Sequence, residues 1–348
     1  MAEERATTLV VTLGPASLRP AVLRSLAAFG VDLLRLNLSH VALGDFEDML
    51  RTARIHSHLP VCLDTEGAQV RVGLVSTGVA LRVGQPVRLV RDKALGTERQ
   101  LSLRPSALFN GLEPGTTLAA DEAVLRVAVV EEEWATAIVV AGGRVRSNRP
   151  VVADPAPVLP ALTDKDRTAV DIAAAAGVDH YALGYASSGA AVEELRALLP
   201  ARARLLARID SRLGAERRAE IIAAADTVVV GRRHLAAELP IEQVPFLQKA
   251  IARDGSTAGT PVWVATGRSG TTATPTATVA EASDVANLLL DGVSGLVVTN
   301  ETAVGADPLG AVERVAGLLD GLNGYTSPGT GGSTDRPRLT SPEIVPSW

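Results

Sequence analysis

The 348-residue sequence has little of what secreted, membrane-spanning or nucleic-acid-binding proteins need. Its single cysteine, Cys62, excludes an intrachain disulfide framework, and the apolar run LPVCLD around it predicts a buried structural thiol. No apolar run reaches the roughly 18 residues that would span a membrane. The polar N-terminus lacks the apolar core of a signal peptide, and no basic block accompanies the net charge of −5. These absences predict a cytoplasmic protein that binds neither membranes nor nucleic acids.

Lysine is also scarce, because 31 of the 34 basic residues are arginine. The three lysines are Lys93, Lys165 and Lys249. An arginine in this chain can therefore stand where a related protein has lysine. The exchange is not neutral, because a planar guanidinium replaces a compact ammonium and cannot be deprotonated in a protein.

Short β-forming runs alternate with Ala/Leu/Arg-rich segments of helical period along most of the chain. Eight successive β–α units are typical of a parallel (βα)₈ barrel, in which each strand is followed by a helix. The predicted strands are 7–14, 31–39, 60–67, 179–186, 204–210, 226–233, 261–267 and 294–301.

The alternation is interrupted once, where Gly- and Pro-punctuated strands replace the helices. We therefore predict an α/β protein whose (βα)₈ barrel is formed by 1–73 and 158–323. A small β-barrel lid domain is predicted for 74–157, inserted after the third barrel strand. The last residues, 324–348, are rich in Gly, Pro, Ser and Thr and predict a flexible C-terminal tail.

Polar residues cluster at the predicted C-terminal ends of the strands, where parallel barrels carry their functional groups. The stretch LLRLNLSH alternates strictly and places Arg35, Asn37 and Ser39 on one side of the second strand. Other strands end in charged, hydroxyl or amide residues, namely Asp64, Thr65, Glu66, Arg208, Asp210, Arg232–His234, Thr266, Asn300 and Glu301. The sequence thus predicts a polar barrel mouth above an apolar stem.

Six motifs, in the order in which they occur, resemble those of pyruvate kinases. They are VVTLGPAS, RLNLSH, LDTEGAQVRVG, LPALTDKD, EASDVANLLLDG and NETAVGADPLGAV. The resemblance covers residues 7 to about 322, including the points where the lid domain begins and ends. It implies transfer of a phosphoryl group between phosphoenolpyruvate and ADP, with K⁺ and Mg²⁺ as cofactors.

The resemblance implies a cation and phosphate site on the second and third strands. Asn37, Ser39, Asp64 and the backbone of Thr65 match the family's monovalent-cation site, and hard oxygen ligands suit K⁺. Arg35 matches an arginine that contacts the transferring phosphoryl group. The remaining matches are two residues on the nucleotide side and an active-site threonine, respectively His40, Arg71 and Thr266.

The fifth and sixth strands depart from the family pattern. Arg208 and Asp210 stand where the family has a lysine and a metal-binding glutamate. His234 stands on a metal-binding aspartate, and imidazole suits Mn²⁺ better than Mg²⁺, so the divalent metal is left open. Arg233 replaces a glycine and is expected to fill the pocket or grip an anion. Tyr185 occupies another altered position beside the substrate.

Three functions follow from this combination, and the sequence ranks them in a definite order. The first is an enzyme repurposed to act on a small anionic substrate, such as a 2-oxo acid, an enolpyruvate or a phosphorylated compound. There His234 acts as metal ligand or general acid/base, and Arg208 and Arg233 clamp the anion. The second is a catalytically inactive binding protein, since a fold does not determine a function. The third is a working pyruvate kinase.

The predicted partner in each case is a small anionic molecule, and nucleotide binding stays open. The family's C-terminal domain, which supports assembly, has no counterpart in the sequence. Monomer and dimer are therefore both expected alternatives.

Overall fold

The computed structural model describes residues 7–91, 93–266 and 277–326. Its first part contains three parallel strands and two α-helices, namely β1 (Thr8–Thr12), α1 (Pro20–Leu26), β2 (Leu33–Asn37), α2 (Leu43–His56) and β3 (Val61–Asp64). Helix α1 begins with a proline, at a position whose N–H would have no partner inside the helix. A short 3₁₀ helix, Ala27–Phe29, follows it.

The second strand ends earlier than its alternating pattern predicts. Residues Leu38–His40 form a 3₁₀ helix in which Asn37 is the N-cap and accepts a hydrogen bond from the Ser39 N–H. An asparagine side chain caps a helix well because its oxygen can pair with one of the free N–H groups. Ser39 therefore lies on a turn above the strand and not on the strand itself.

An all-β unit follows the third strand. Its strands are β4 (Arg71–Val72), β5 (Val79–Leu81), β6 (Pro86–Val90), β7 (Gln100–Arg104), β8 (Thr117–Ala120), β9 (Ala123–Val130), β10 (Trp134–Ala141), β11 (Gly143–Val145) and β12 (Val151–Asp154). Seven of them form a mostly antiparallel, barrel-like sheet in the order β12-β8-β9-β10-β6-β7-β4, and β5 pairs with β11. The unit has its own apolar core and a 3₁₀ helix, Ser106–Asn110. These strands confirm the predicted β-rich lid.

The chain then returns to the barrel and completes it. The elements are α3 (Asp164–Ala175), β13 (His180–Leu183), α4 (Gly189–Arg196), β14 (Arg204–Ile209), α5 (Arg212–Glu216), α6 (Arg218–Ala224), β15 (Thr227–Val230), α7 (Arg232–Glu238), α8 (Val244–Ala258), β16 (Val262–Thr266), α9 (Val279–Leu290), β17 (Gly295–Val298), α10 (Asn300–Ala303) and α11 (Pro308–Thr326). Another 3₁₀ helix, Ile241–Gln243, precedes α8. The predicted tail lies outside the described residues beyond Thr326.

The barrel is closed in the order β1-β2-β3-β13-β14-β15-β16-β17, with all neighbours parallel. This confirms the predicted (βα)₈ architecture. Among the described residues, none of the helices combines the length and the apolar character that crossing a bilayer requires.

The barrel strands are buried on both faces, but alternate residues belong to different layers. Leu34 and Leu36 face outward and pack in the core beneath the helices. The inward residues at the stem are apolar, namely Val10, Leu33, Cys62, Ala182, Leu206, Val229 and Val297. Two residues further along, the buried layer is polar and contains Thr12, Arg35, Asp64 and Arg208. A rise of about 7 Å along the strands therefore separates the apolar stem from the polar mouth.

Strand register brings distant polar residues together. Thr12 pairs with Arg35 across β1 and β2, and Asn37 pairs with Asp64 across β2 and β3. The site thus depends on β pairing between segments far apart in the chain.

Candidate active site

Two buried arginines and two buried carboxylates form a connected group at the barrel mouth. Arg35 donates from Nε to Asp64 Oδ2 at 2.5 Å and from Nη1 to Thr12 Oγ1 at 2.9 Å. Arg208 Nη1 lies 2.7 Å from Asp64 Oδ2, and its Nη2 lies 2.7 Å from Asp210 Oδ2. Both carboxylates are 0% exposed, so solvent and salt screen these ion pairs little. Arg208 therefore links the third strand to the fifth.

The protonation of this group follows from burial and pairing together. Burial alone would raise the pKa of Asp210, but the charges of Arg208 and His234 hold it well below its usual range. Burial alone would lower the pKa of Arg208, but Asp210 and Asp64 raise it above its usual value. Asp210 is thus ionised and Arg208 protonated at neutral pH. The role of Arg208 as an anion clamp stays a prediction, since two carboxylates already engage its guanidinium.

The predicted ligands for a monovalent cation lie together around the turn after β2. Asp64 Oδ1 is buried without a hydrogen-bond partner. Asn37 Oδ1 accepts from the Ser39 N–H at 3.0 Å, and Thr65 is fully buried directly after Asp64. A buried carboxylate oxygen without a partner is unfavourable unless a cation or water meets it. This oxygen-rich set fits K⁺.

His234 lies beside the buried carboxylate of Asp210. Its Nδ1 is 3.3 Å from Asp210 Oδ1 but outside hydrogen-bond geometry, which leaves that oxygen without a partner. Gly231 makes the room, because a Cβ there would lie 1.7 Å from the same oxygen. The pair of one imidazole nitrogen and one carboxylate oxygen fits Mn²⁺ better than Mg²⁺. Within the described residues, no three His, Cys, Asp or Glu side chains are grouped to hold a metal on their own.

A cavity of about 1640 Å³ lies between the strand ends and the lid. Asp64, Asp210 and Thr266 are outside its lining, and the Thr266 hydroxyl donates to the Val297 carbonyl at 3.2 Å. The cavity wall is rich in basic side chains, which include Arg35, His40, Arg71, Arg208, Arg233 and His234. A concave surface lined by positive groups attracts small anions.

His40 lies at the exposed rim of this cavity, beside Arg71. Partial burial of its ring, followed by the charge of Arg71, lowers the pKa of His40 to about 4. The imidazole is therefore neutral at physiological pH and adds no charge to the nucleotide side that the resemblance predicts.

Two residues that sequence reasoning did not single out connect the mouth to its surroundings. Asn148, in the lid, donates from Nδ2 to the Ser39 carbonyl at 3.0 Å, and its own carbonyl accepts from Arg71 Nη1 at 2.8 Å. Lys165 donates from Nζ to the Leu38 carbonyl at 2.6 Å. Asn148 has a φ of 58°, which no sequence pattern indicates. The scarcity of lysine could have drawn attention to Lys165.

Known proteins resemble this chain in sequence and in fold. A family model for the barrel domain of pyruvate kinase matches residues 4–312. The chain belongs to the pyruvate kinase family. The six motifs therefore gave the correct family.

Individual pyruvate kinases align with most of the chain. That of Methylorubrum extorquens is 34% identical over 330 residues, which cover 91% of this chain and 69% of that protein. That of Chlamydia trachomatis is 30% identical over 338 residues, covering 90% of this chain and 67% of that protein. The crystal structure of Cryptosporidium parvum pyruvate kinase has 27% identity and a TM-score of 0.82, covering 91% of this chain and 70% of that one. Barrel and lid are thus shared with pyruvate kinases.

This member of the pyruvate kinase family brings most of the predicted site residues to one mouth. Arg35, Arg71 and Arg208 are buried there, and Arg233 and His234 extend the site onto the start of α7. Their individual roles stay predictions.

Proposed function

We propose that the barrel mouth catalyses the pyruvate kinase reaction, the transfer of a phosphoryl group from phosphoenolpyruvate to ADP. One observation carries the proposal: Arg208 holds a buried positive charge between Asp64 and Asp210, where the family pattern has lysine. Relatives named pyruvate kinase cover about nine-tenths of the chain, and nothing independent supports a changed reaction. The proposal therefore reverses the order that the sequence alone favoured.

The arginines would bind the anionic groups of the substrates. Arg35 and Arg208 reach the cavity from the strand ends, and their carboxylate partners fix the orientation of each guanidinium. Arg71 and Arg233 approach from the lid side and from α7. Fixed positive groups in a site with little water stabilise the charge that develops during phosphoryl transfer.

The reaction also places a proton on the methylene carbon of the enolate of pyruvate. We assign its delivery to His234, the imidazole on the cavity wall, because a positioned histidine is the commonest group for such a step. The Thr266 hydroxyl is a poorer candidate, since it already donates to a backbone carbonyl.

Cations would be held at the two oxygen-bearing positions described above. Asn37, Ser39, Asp64 and Thr65 would hold K⁺, and Asp210 with His234 would hold a divalent cation. When bound, these ions supply positive charge beside the phosphoryl group. The imidazole leads us to propose Mn²⁺ as the preferred divalent ion.

A second candidate is proton-transfer or lyase chemistry on a 2-oxo acid. The observation that favours it is the His234–Asp210 pair, because an imidazole next to an ionised buried carboxylate is a common general acid/base arrangement. The third alternative, a catalytically inactive binding protein, would retain anion binding without turnover.

The deciding experiment measures pyruvate formation from phosphoenolpyruvate and ADP with K⁺ and either Mg²⁺ or Mn²⁺. We expect turnover by the native chain that is faster with Mn²⁺ and falls at least about tenfold in His234→Ala. The double variant Arg208→Lys, His234→Asp should shift the preference toward Mg²⁺. Mn²⁺ binding followed by electron paramagnetic resonance gives a readout that does not depend on turnover.

A matched control keeps the interpretation clear. His56→Asn, on a helix away from the mouth, should leave activity and Mn²⁺ binding unchanged. A native chain that binds phosphoenolpyruvate but forms no pyruvate with either metal would overturn the proposal. Consumption of a 2-oxo acid by that same chain would establish the second candidate.

A further inference from the structure

Three side chains on one wall of the cavity form a group that the proposed reaction does not use fully. Gln69, Arg71 and Tyr185 all line the cavity, and each is less than one-tenth exposed, at 8%, 6% and 8% respectively. The Gln69 Nε2 amide donates to the Tyr185 hydroxyl oxygen. We call these three residues the Gln69 subsite.

Two polar atoms of the Gln69 subsite are buried without a hydrogen-bond partner. They are the acceptor Gln69 Oε1 and the donor Arg71 Nε. Native proteins pair nearly all of their buried polar atoms, so a buried donor and a buried acceptor on one cavity wall indicate a missing ligand. The hydroxyl oxygen of Tyr185 already accepts the Gln69 amide, which leaves its O–H free to donate toward the cavity.

Arg71 adds a charge that the surrounding protein leaves unbalanced. Its Nη1 donates to the Asn148 carbonyl, which is neutral. Over the residues that the structure describes, no carboxylate lies within ion-pair distance of its guanidinium. Burial lowers the pKa of Arg71, so binding of an anion would relieve the cost of keeping this buried cation charged.

The backbone holds Tyr185 in this position against its own preference. Tyr185 has a φ of 51°, a conformation that is unfavourable for residues other than glycine. Its N–H lies 3.4 Å from Asp210 Oδ2, and its ring meets the His234 ring edge-on at 5.3 Å. Strained residues of this kind are concentrated at ligand sites, where the surrounding contacts maintain them.

We infer that the Gln69 subsite binds a hydroxyl group that lies next to the anionic oxygens of a small acid. Two donors, Arg71 Nε–H and the Tyr185 O–H, would meet anionic oxygens, and Gln69 Oε1 would accept the hydroxyl proton of the ligand. Phosphoenolpyruvate carries no hydroxyl and would leave Gln69 Oε1 unpaired. The ligand class is therefore a hydroxylated acid, such as a phosphorylated hydroxycarboxylate. The inference rests on the proposed function only for placing an anion at this mouth.

Calorimetric titration of the full chain in K⁺ buffer tests the inference with two probes, 2-phosphoglycerate and phosphoenolpyruvate. They carry the same carboxylate and phosphate, but only the first has a hydroxyl. The native chain should bind 2-phosphoglycerate about tenfold more tightly, because leaving a buried acceptor unpaired is unfavourable by about that factor. Gln69→Leu should abolish the difference by weakening 2-phosphoglycerate alone.

Further variants separate the subsite from general damage. Tyr185→Phe should weaken both probes about threefold and keep the preference, because the lost donor serves an anionic oxygen. Gln243→Leu, at an exposed position, should change neither affinity. Gln69→Met is a second apolar replacement of similar length, and thermal unfolding reports whether each variant is folded.

The inference is wrong if the native chain binds the two probes equally or binds neither. Equal weakening of both by Gln69→Leu in a folded chain would also overturn it. Pyruvate formation is measured separately, so each failure can be assigned. A chain that prefers 2-phosphoglycerate but forms no pyruvate would refute the proposed function alone, and the reverse result would refute the Gln69 subsite alone.

Discussion

Replacement of Arg208 by methionine tests how the charged group at the barrel mouth is stabilised. Arg208 lies 2.7 Å from one oxygen of Asp64 and 2.7 Å from one oxygen of Asp210, and both carboxylates are fully buried. Methionine fills much of the same volume but carries no charge. Asp64 would keep Arg35 as its partner, whereas Asp210 would keep only the weak Tyr185 N–H contact and the neighbouring His234.

The expected loss of stability follows from this difference between the two carboxylates. Removing one partner of a buried ion pair commonly lowers the free energy of unfolding by about 3–5 kcal/mol. Because Asp64 remains paired, we expect about 4 kcal/mol for Arg208→Met at pH 7.5. Adding Asp210→Asn removes the uncompensated charge and should restore about 2 kcal/mol. The variant should also become relatively less unstable toward pH 5, because an unpaired buried Asp210 takes up a proton.

Urea denaturation followed by circular dichroism measures these differences at both pH values. The control is Arg167→Met, whose exposed pair with Glu194 should contribute less than about 1 kcal/mol. A loss below about 1 kcal/mol in Arg208→Met would refute the reasoning. It would mean that the ion pairs do not hold the mouth together.

Three further predictions address other parts of the molecule. The folded-state pKa of His40, about 4, lies below its unfolded value of about 6.5. The unfolded chain therefore takes up a proton first as the pH falls, and about 1 kcal/mol of stability is lost between pH 6.5 and 4 after allowing for the exposure of His40; His40→Asn should flatten this part of the curve of Tm against pH. Asn148→Gly keeps the left-handed backbone but loses the side-chain hydrogen bonds between lid and barrel, so limited proteolysis of the lid should become several-fold faster. Gly184→Ala should lower the free energy of unfolding by about 2 kcal/mol, because its Cβ would lie 2.5 Å from the Thr65 carbonyl oxygen; Gly44→Ala, with nothing within 4 Å in helix α2, should raise it by about 0.5–1 kcal/mol.

Each of these predictions has an outcome that contradicts it. A pH dependence unchanged in His40→Asn would show that another group titrates in that window. Protease resistance equal to that of the native chain in Asn148→Gly would mean that other contacts hold the lid. Equal stability of the two glycine variants would show that the backbone near residue 184 yields to a methyl group.

The barrel and its lid could be predicted because their signals are local. Each predicted barrel strand contains the observed one, although the observed strands are shorter at the ends. The second strand shows the limit of the periodic pattern, since the alternation continues through Ser39 while the strand ends at Asn37. The Asn37 side chain caps the following turn, and a competing hydrogen bond of this kind is not visible in hydrophobic periodicity.

The functional positions were predictable as a set, but their partners were not. Motif order placed Arg35, Asp64 and Arg208 at one end of the barrel, and the register confirms that the first two lie on neighbouring strands. The engagement of Arg208 by two carboxylates, one of them 144 residues away, depends on the closed barrel. The same holds for Asn148, which reaches the Ser39 carbonyl across 109 residues from the lid.

The amino-acid sequence by itself determined the family, the eight β–α units, the inserted lid and the polar composition of the mouth, because periodicity and motif order can be read along the chain. Tertiary structure alone decided which charges pair, which buried atoms lack partners and which residues share a cavity wall. Gln69 and Tyr185 illustrate the difference, since 116 residues separate them and their side chains nevertheless meet. Hydrogen bonds and ion pairs act over a few ångströms, and only the folded barrel brings such residues within that distance.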